Sequence, residues 1–421
     1  MERFHGLIGI ALILLLAYLL SSDRKKINPR IVLWGLGLQF TFGIFMLKTE
    51  AGRHVFEWAR LAANGCLNFT QEGAHFVFGN LCPPPGELPN DVIGFNMAFQ
   101  CLVTIIFFSS LMAVLYHLGV MQVVVRSFAW VMRKTMGTSG AESLSVAGNI
   151  FVGQTESPIL IRPFIKEMTT SELATVMTGG FATIAGSVFV LYVSFGVNAG
   201  HLLTASVMSA PAALMIAKIM FPETEESKTL GRVRVDLKSD TCNVVDAAAS
   251  GASMGVKLAI NVAAMLLAFV ALLAMANWGL GEVGKGIEWI FGDVFPEDRL
   301  LSIEMIFGWI FMPIAWCLGV VAEDAPFMGE LLGTKIAVNE LFGYQKLGAA
   351  MADGELAEKT TVIATYALCG FANFSSIAIQ IAGIGGIAPE RRGDLARLGV
   401  KTMLGGAFAS LTTAALAGVL L

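Results

Sequence analysis

Two carboxylates, Glu156 and Glu340, lie in apolar sequence, and each is joined by neutral polar side chains. Gln154, Thr155 and Glu156 set an amide, a hydroxyl and a carboxylate side by side, while Asn339 precedes Glu340 between Val338 and Leu341. Each carboxylate is followed by a glycine-interrupted apolar run, Gly179-Gly180-Phe181-Ala182-Thr183 after the first and Cys369-Gly370-Phe371-Ala372-Asn373 after the second. Such groups can hold a ligand by hydrogen bonds, but they lack the paired nucleophile and base of covalent chemistry. The same pattern in two parts of one chain is the sequence pointer to a substrate site near the bilayer midplane.

A carboxylate at the centre of a bilayer costs about 2.5–3.5 kcal/mol on insertion scales. Three adjacent polar groups at that depth therefore point to a ligand, although they could also satisfy one another and the ends of their own hairpin. Thr183, Asn373, Ser375 and Ser376 follow the glycine interruptions, with Ser376 three residues beyond Asn373 and on the same helix face. A plainer reading makes the small residues only a close-packing surface between helices. His5, His54, His75, His117 and His201 are isolated, without metal-ligand spacing, and no phosphate loop, HExxH helix or nucleophile elbow occurs.

The elements that must position these groups are membrane helices. Of 421 residues, 55% are hydrophobic and 14% charged, and mean hydropathy is +0.70; a soluble domain carries about 25% charged residues. The net charge of −4 and the scatter of basic residues among short loops argue against nucleic-acid binding. The six cysteines read mostly as apolar fillers, although Cys66 and Cys82 share one polar loop and could pair. The first apolar run, Leu7 to Leu20, lacks the charge and cleavage pattern of a signal peptide and is expected to stay as a span.

Spans of suitable length fall at 6–22, 31–48, 95–119, 172–196, 201–220, 254–278, 360–387 and 396–420. Eight crossings put both termini on one side. Regions 23–30, 126–166, 218–257 and 391–401 hold most of the 28 basic residues and are expected to be cytoplasmic. Within 49–94, Val55, Trp58, Ala59 and Ala62 share one face opposite Arg53, Glu57 and Arg60, which predicts an amphipathic helix on the outer surface. Segment 223–250 reads as a polar cytoplasmic linker.

Two segments do not fit the crossing count. Leu144 to Val152 and Pro158 to Ile165 are each about half a membrane long and flank Gly153-Gln154-Thr155-Glu156-Ser157, which predicts a hairpin that returns to the cytoplasm. The second covers roughly 301–343, and Glu282, Asp293, Glu297 and Asp298 before it and Asp353, Glu355 and Glu358 after it place both flanks outside. Its tip is expected near Gly333 to Glu340, with Pro326 beside Glu323 and Asp324 as the competing position. Non-helical backbone at membrane depth is tolerated where it lines a cavity or is buried in protein. Asn149, the Val152 carbonyl, the Thr183 hydroxyl and the Ile184 carbonyl could supply oxygen ligands for a sodium ion if the first hairpin packs on the interrupted helix.

The runs GNIFVGQTESPILIRPF at 148–164, MTGGFATIAGSV at 177–188 and ALCGFANFSSIAI at 367–379 closely resemble the concentrative nucleoside transporters. The resemblance implies a homotrimer, with a scaffold that holds the trimer and a mobile domain that carries the site across in an elevator-like motion. It implies that Gln154, Thr155, Glu156 and Val188 face the nucleobase, that Glu340, Asn373 and Ser376 hold the ribose hydroxyls, and that Phe371 lies near the substrate. Asn149, Val152, Thr183 and Ile184 match the family's sodium position. The second hairpin departs from the family's NEFVAY, reading Asn339-Glu340-Leu341-Phe342-Gly343-Tyr344.

The expectation is therefore an all-α polytopic membrane protein with eight transmembrane helices, two opposed re-entrant hairpins, interfacial helices and an inverted repeat. Its parts are 1–94, N-terminal spans and outer helix; 95–134, scaffold; 135–220, first hairpin and broken helix; 221–252, linker; 253–300, scaffold span; and 301–421, second hairpin and broken helix. The expected activity is sodium-coupled nucleoside symport in a bacterial inner membrane, with both termini periplasmic, Na+ as coupling ion, no organic cofactor and lipid as surroundings. Proton coupling through Glu156 or Glu340 is the alternative. An intramembrane hydrolase and a passive channel are disfavoured.

Overall fold

The computed structural model describes residues 5–84, 96–229, 241–292, 295 and 301–421, and every regular element among them is helical. Helices α1 (His5–Leu19) and α2 (Pro29–Lys48) lead into α3 (Glu50–Phe78), the short α4 (Met97–Gln100), α5 (Leu102–His117) and α6 (Val120–Met136). Asn28 caps α2, and Pro29 opens it, where its missing N–H costs nothing. Six helical stretches are long and apolar enough to cross a membrane, 29–48, 97–117, 170–194, 199–220, 244–291 and 389–420, with shorter apolar helices at His5–Leu19, Ile303–Cys317 and Phe374–Ile387. The chain is thus a polytopic membrane protein.

The amphipathic helix exists as α3, but it buries a different face from the one expected. Gly52, Ala59, Ala63, Thr70 and Ala74 pack inward against α2, α5 and α11 (Ala199–Met220), while Trp58 and Ala62 face out. Small residues let the backbones approach: a Cβ on Gly52 would sit 2.0 Å from Phe45 O. Cys66 and Cys82 are both free thiols, so the pairing considered for them is not made.

The first hairpin is α7 (Gly140–Gly148), an irregular tip, a 3-10 turn over Ser157–Ile161 and α8 (Arg162–Ile165). Helix stops at Gly148 rather than running to Val152. The arms close on each other, with the Ser145 and Ser157 hydroxyls 2.9 Å apart. Helices α9 (Thr170–Ala182) and α10 (Gly186–Ser194) then form one broken helix. Its break is not at Gly179-Gly180, which lie inside α9, but at Thr183 (φ −124°, ψ 162°) to Ala185 (φ −74°, ψ 142°). After α11 comes α12 (Val244–Phe291), whose 48 residues extend about 72 Å at 1.5 Å per residue. The last residues of the expected linker are therefore helical. Gly251 and Gly255 seat α12 against Ser109 O and Ile106 Cα of α5.

After α12 come α13 (Ile303–Cys317), α14 (Ala325–Ala337), α15 (Glu340–Ala352), α16 (Glu358–Leu368), α17 (Phe374–Ile387) and α18 (Arg392–Leu420). Helices α14 and α15 are the arms of the second hairpin, which reaches residue 352, beyond the expected 343. Its tip is Val338-Asn339, the first of the two positions considered; Pro326 merely opens α14. The expected span 360–387 is two helices separated at Cys369 to Asn373, where Gly370 has φ +127°.

Contacts gather the basic segments at one end of the molecule. Ser22 N–H donates to Met220 O (2.9 Å), Arg30 Nε to Thr135 O (3.0 Å), Arg391 Nη1 to Met168 O (2.7 Å), and Lys166 pairs with Glu390 at 3.3 Å. At the other end α1 meets the last turns of α18, with a Cβ on Gly6 placed 2.6 Å from Ala415 O, and the His5 and Trp316 rings lie 4.4 Å apart. Asp293, Glu297, Asp298, the part of the expected cytoplasmic region 218–257 between 230 and 240, and the expected junction at 94–95 lie outside the described residues.

Candidate functional site

Packing of the first hairpin on the broken helix sets the first half of the site. Gly186 N–H donates to Phe151 O at 3.1 Å, which pins the tip to the start of α10. A side chain at Gly186 would lie 2.4 Å from that same carbonyl, so only glycine permits the contact. At the tip, Gly153 N–H donates to Glu156 Oε2 (3.3 Å). Gln154 is buried, and Thr155 and Glu156 are half-buried. Val188 lies buried one turn into α10.

The second half is built on Glu340, the first residue of α15, where the helix N-terminus favours a negative charge. Tyr192 Oη donates to Glu340 Oε1 (3.0 Å) and Asn373 Nδ2 donates to Glu340 Oε2 (3.0 Å). The other end of the Asn373 amide, Oδ1, accepts from Ser376 N–H (2.9 Å) and Ser375 Oγ (2.7 Å), capping α17. Asn373 thus starts a helix and orients a carboxylate together. Glu340, Asn373 and Ser376 are buried and joined, whereas Phe371 is half-buried at the break.

The two halves face each other. Ser376, Gln380 and Gly383 follow at helical spacing along one face of α17, and that face runs beside the first tip. Gln380 Nε2 donates to Gln154 Oε1 (3.0 Å) and to Met177 O (3.1 Å), and a Cβ on Gly383 would sit 2.8 Å from Thr155 Cγ2. Reciprocally, Val188 and Tyr192, one turn apart on α10, lead to the second tip at Glu340. The two breaks cross at Gly370, whose Cβ would lie 2.7 Å from Phe181 O. Each tip is therefore held by the second half-helix of the other broken helix.

Of the four candidate sodium ligands, Asn149 and Thr183 both meet Gly179, while Val152 and Ile184 are chain neighbours of the residues that join the tip to the break. Asn149 ends α7 against Gly179, where a Cβ would be 3.4 Å from Asn149 Nδ2, and Thr183 Oγ1 bonds Gly179 O at 3.0 Å. Val152 and Ile184 flank the contacts of Gly153 with Ala185 and of Phe151 with Gly186. Asn149 is buried with neither side-chain atom hydrogen-bonded. A buried amide without a partner costs about 1–3 kcal/mol, and an oxygen-seeking cation beside Asn149 Oδ1 and the end of α9 relieves its carbonyl half, so these residues fit sodium. Among the described residues no cluster of three or more His, Cys, Asp or Glu could hold a metal.

Tyr192 and Gln380 were not singled out from the sequence. Gln380 had a signal, as a lone amide inside an apolar helix one turn beyond Ser376. Tyr192 had none, because an aromatic in an apolar helix reads as packing.

Membrane-crossing helices whose two hairpin tips bring buried hydrogen-bonding side chains together are the architecture of a membrane transport protein. Comparison with known proteins agrees. The family descriptions "Na+ dependent nucleoside transporter N-terminus", "Nucleoside recognition" and "Na+ dependent nucleoside transporter C-terminus" match residues 8–81, 98–199 and 201–418. An uncharacterized transporter of Bacillus subtilis is 44% identical over 423 residues, with 100% of both chains covered. Sodium/nucleoside cotransporter 1 of Mus musculus is 43% identical over 433 residues, and the chain spans 64% of its length. Among solved structures, CNTnw in an inward-facing substrate-bound state is 41% identical with a TM-score of 0.91, covering 100% of this chain and 98% of that one. A variant of CNTnw in an outward-facing state gives 0.90 at 40% identity, again over 100% and 98%. The chain belongs to the concentrative, Na+-dependent nucleoside transporter family.

Proposed function

We propose that the protein is a sodium-coupled nucleoside symporter that works by alternating access. The observation that carries this reading is the buried cluster of Tyr192, Glu340 and Asn373, drawn from three elements and converging on one carboxylate. A carboxylate and an amide at this spacing suit the vicinal hydroxyls of ribose, with Ser376 beside them. Gln154, Thr155 and Glu156 offer donors and acceptors to the nucleobase, with Val188 against its apolar face and Phe371 at the rim. Losing one such hydrogen bond costs about 1–3 kcal/mol.

Sodium binds at Asn149, Val152, Thr183 and Ile184, stiffening the contact between the first tip and the α9 break and so favouring the substrate-competent geometry. One sodium ion is sufficient as driving force. About 2.3 kcal/mol per charge at 100 mV and about 1.4 kcal/mol from a tenfold gradient sustain accumulation of roughly several hundred-fold.

Residues 135–220 and 301–421 form the moving domain, with the two hairpins entering the bilayer from opposite faces as an inverted repeat and completing eight crossings. Helices α5 and α12 belong to the scaffold, where the exposed apolar face of α12, with Ile260, Leu267 and Met275, suits lipid or the contacts of a homotrimer. Gathering of the basic segments at one end supports a cytoplasmic face there and periplasmic termini in a bacterial inner membrane. Uridine binding and uptake, measured with sodium and with choline in its place at fixed pH, test the reading. Sodium-dependent accumulation is expected. Full activity in choline would remove the ion assignment and leave Glu156 or Glu340 as proton carrier.

A further inference from the structure

The two hairpins treat the ends of the broken helices differently. In each half, the first arm of the hairpin presents its last turn to the C-terminal end of the half-helix before the break. Asn149 closes α7 against Gly179 near the end of α9, and Lys335, in the last turn of α14, reaches Ala367 near the end of α16. A helix C-terminus carries roughly half a negative charge and attracts a cation. At α9 the neighbour is a neutral amide whose buried polar atoms have no hydrogen-bond partner. At α16 the Lys335 ammonium is buried and donates to Ala367 O (2.7 Å) and to Ser410 Oγ of α18 (2.9 Å).

We infer that Lys335 is a built-in cation standing, in the second half of the protein, where the first half takes its coupling ion. The inference rests on the sodium reading given above. Lys335 moves with the domain whether or not substrate is bound, so its charge cancels over a full cycle, whereas a sodium ion at Asn149 crosses only with substrate. The protein therefore has one exchangeable cation site where its doubled architecture has room for two. Shortening Lys335 opens a space next to Ala367 O and Ser410 Oγ at a negative helix end, which suits a second sodium ion. Substrate coupling then changes from one sodium ion to two.

The test is the sodium-to-uridine ratio from reversal potentials in proteoliposomes, together with the Hill coefficient for sodium, which is bounded by the number of sites. Wild type is expected to give one ion per uridine and Lys335→Ala two, with a sigmoidal sodium dependence. Lys335→Gln, which fills the space with a neutral amide, is expected to stay at one. A ratio of one in Lys335→Ala overturns the inference. So does a Lys335→Ala protein that fails to assemble in high sodium while Lys335→Gln assembles. A wild type indifferent to sodium would instead overturn the symport reading on which the inference rests, so the two failures are distinguishable.

Discussion

Gln380 Nε2 lies 3.0 Å from Gln154 Oε1, joining a helix of the second half of the chain to the hairpin tip of the first. The same amide nitrogen is shared with Met177 O at 3.1 Å, so it is fixed between the tip and α9. Gly180 makes this approach possible, since a Cβ there would sit 2.7 Å from Gln380 Nε2 and 2.9 Å from Gln154 Cβ. With Gln154 oriented in this way, Nε2 is the end of its amide that the proposed function assigns to the nucleobase.

Gln380 is accordingly a positioning residue. Gln380→Leu keeps the volume and removes the donor, leaving Gln154 free to rotate. The loss of one buried hydrogen bond at about 1–3 kcal/mol, with a tenfold change per 1.4 kcal/mol, predicts a rise in uridine KM of roughly ten-fold or more. Maximal uptake and sodium affinity are expected to change little. Concentration-dependent uptake checks both, and an unchanged KM would show that the amide pair only packs.

Glu340→Gln and Glu156→Gln are each expected to abolish uptake while the assembled protein stays in the membrane. In the first case the mutant amide can still accept from Asn373 and, with the phenol turned to accept, donate to Tyr192, so what is lost is the negative charge and one acceptor oxygen, on which the proposed grip on the ribose hydroxyls depends. Tyr192→Phe removes a single donor and is expected to weaken uridine binding by roughly ten-fold without abolishing it. Isothermal binding and vesicle uptake on the same preparations distinguish loss of ligand from loss of fold.

Much of this arrangement could be read from residue order alone, because charge and amide groups in apolar sequence have few places to go. Glu156, Glu340, Asn373 and Ser376 stood out for that reason, and the second tip fell where Asn339-Glu340 placed it. The first break was misplaced because glycine has two uses. Gly179 and Gly180 weaken a helix on paper, but here they remain helical and admit Asn149, Gln154 and Gln380 at close range. The buried face of α3 was misread for a similar reason: Trp58 is large and apolar, yet in a membrane protein the large residues can face lipid while Gly52, Ala59 and Ala63 pack. Tyr192 and Lys335 acquire their roles only from contacts across the chain, which local spacing does not encode.

Gly370 combines a φ of +127° with a Cβ position 2.7 Å from Phe181 O and 2.8 Å from Ala182 C. Gly370→Ala therefore strains the backbone and pushes the two breaks apart. Little correctly assembled protein is expected, and whatever assembles is expected to lack uridine binding. Gly386, by contrast, has open space around its Cβ position, and Gly386→Ala is expected to behave as wild type. Size-exclusion profiles and uridine binding for the pair decide whether the crossing of the breaks is needed.

The orientation of the molecule can be tested at Cys242. It is the exposed cysteine just before α12, at the end of the chain's polar linker, and Cys101 and Cys369 are buried. The nearby His117 ring meets Thr241 at 2.7 Å, which ties this segment to the end of α5. If the basic end is cytoplasmic, as the distribution of Lys and Arg implies, an impermeant maleimide labels Cys242 only from that side. Inside-out vesicles are expected to show labelling in wild type that is missing from Cys242→Ser. Intact cells are expected to show no difference between the two, because the thiol that distinguishes them is screened by the bilayer. Labelling of wild type over Cys242→Ser in intact cells would reverse the orientation, and with it the face from which each hairpin enters.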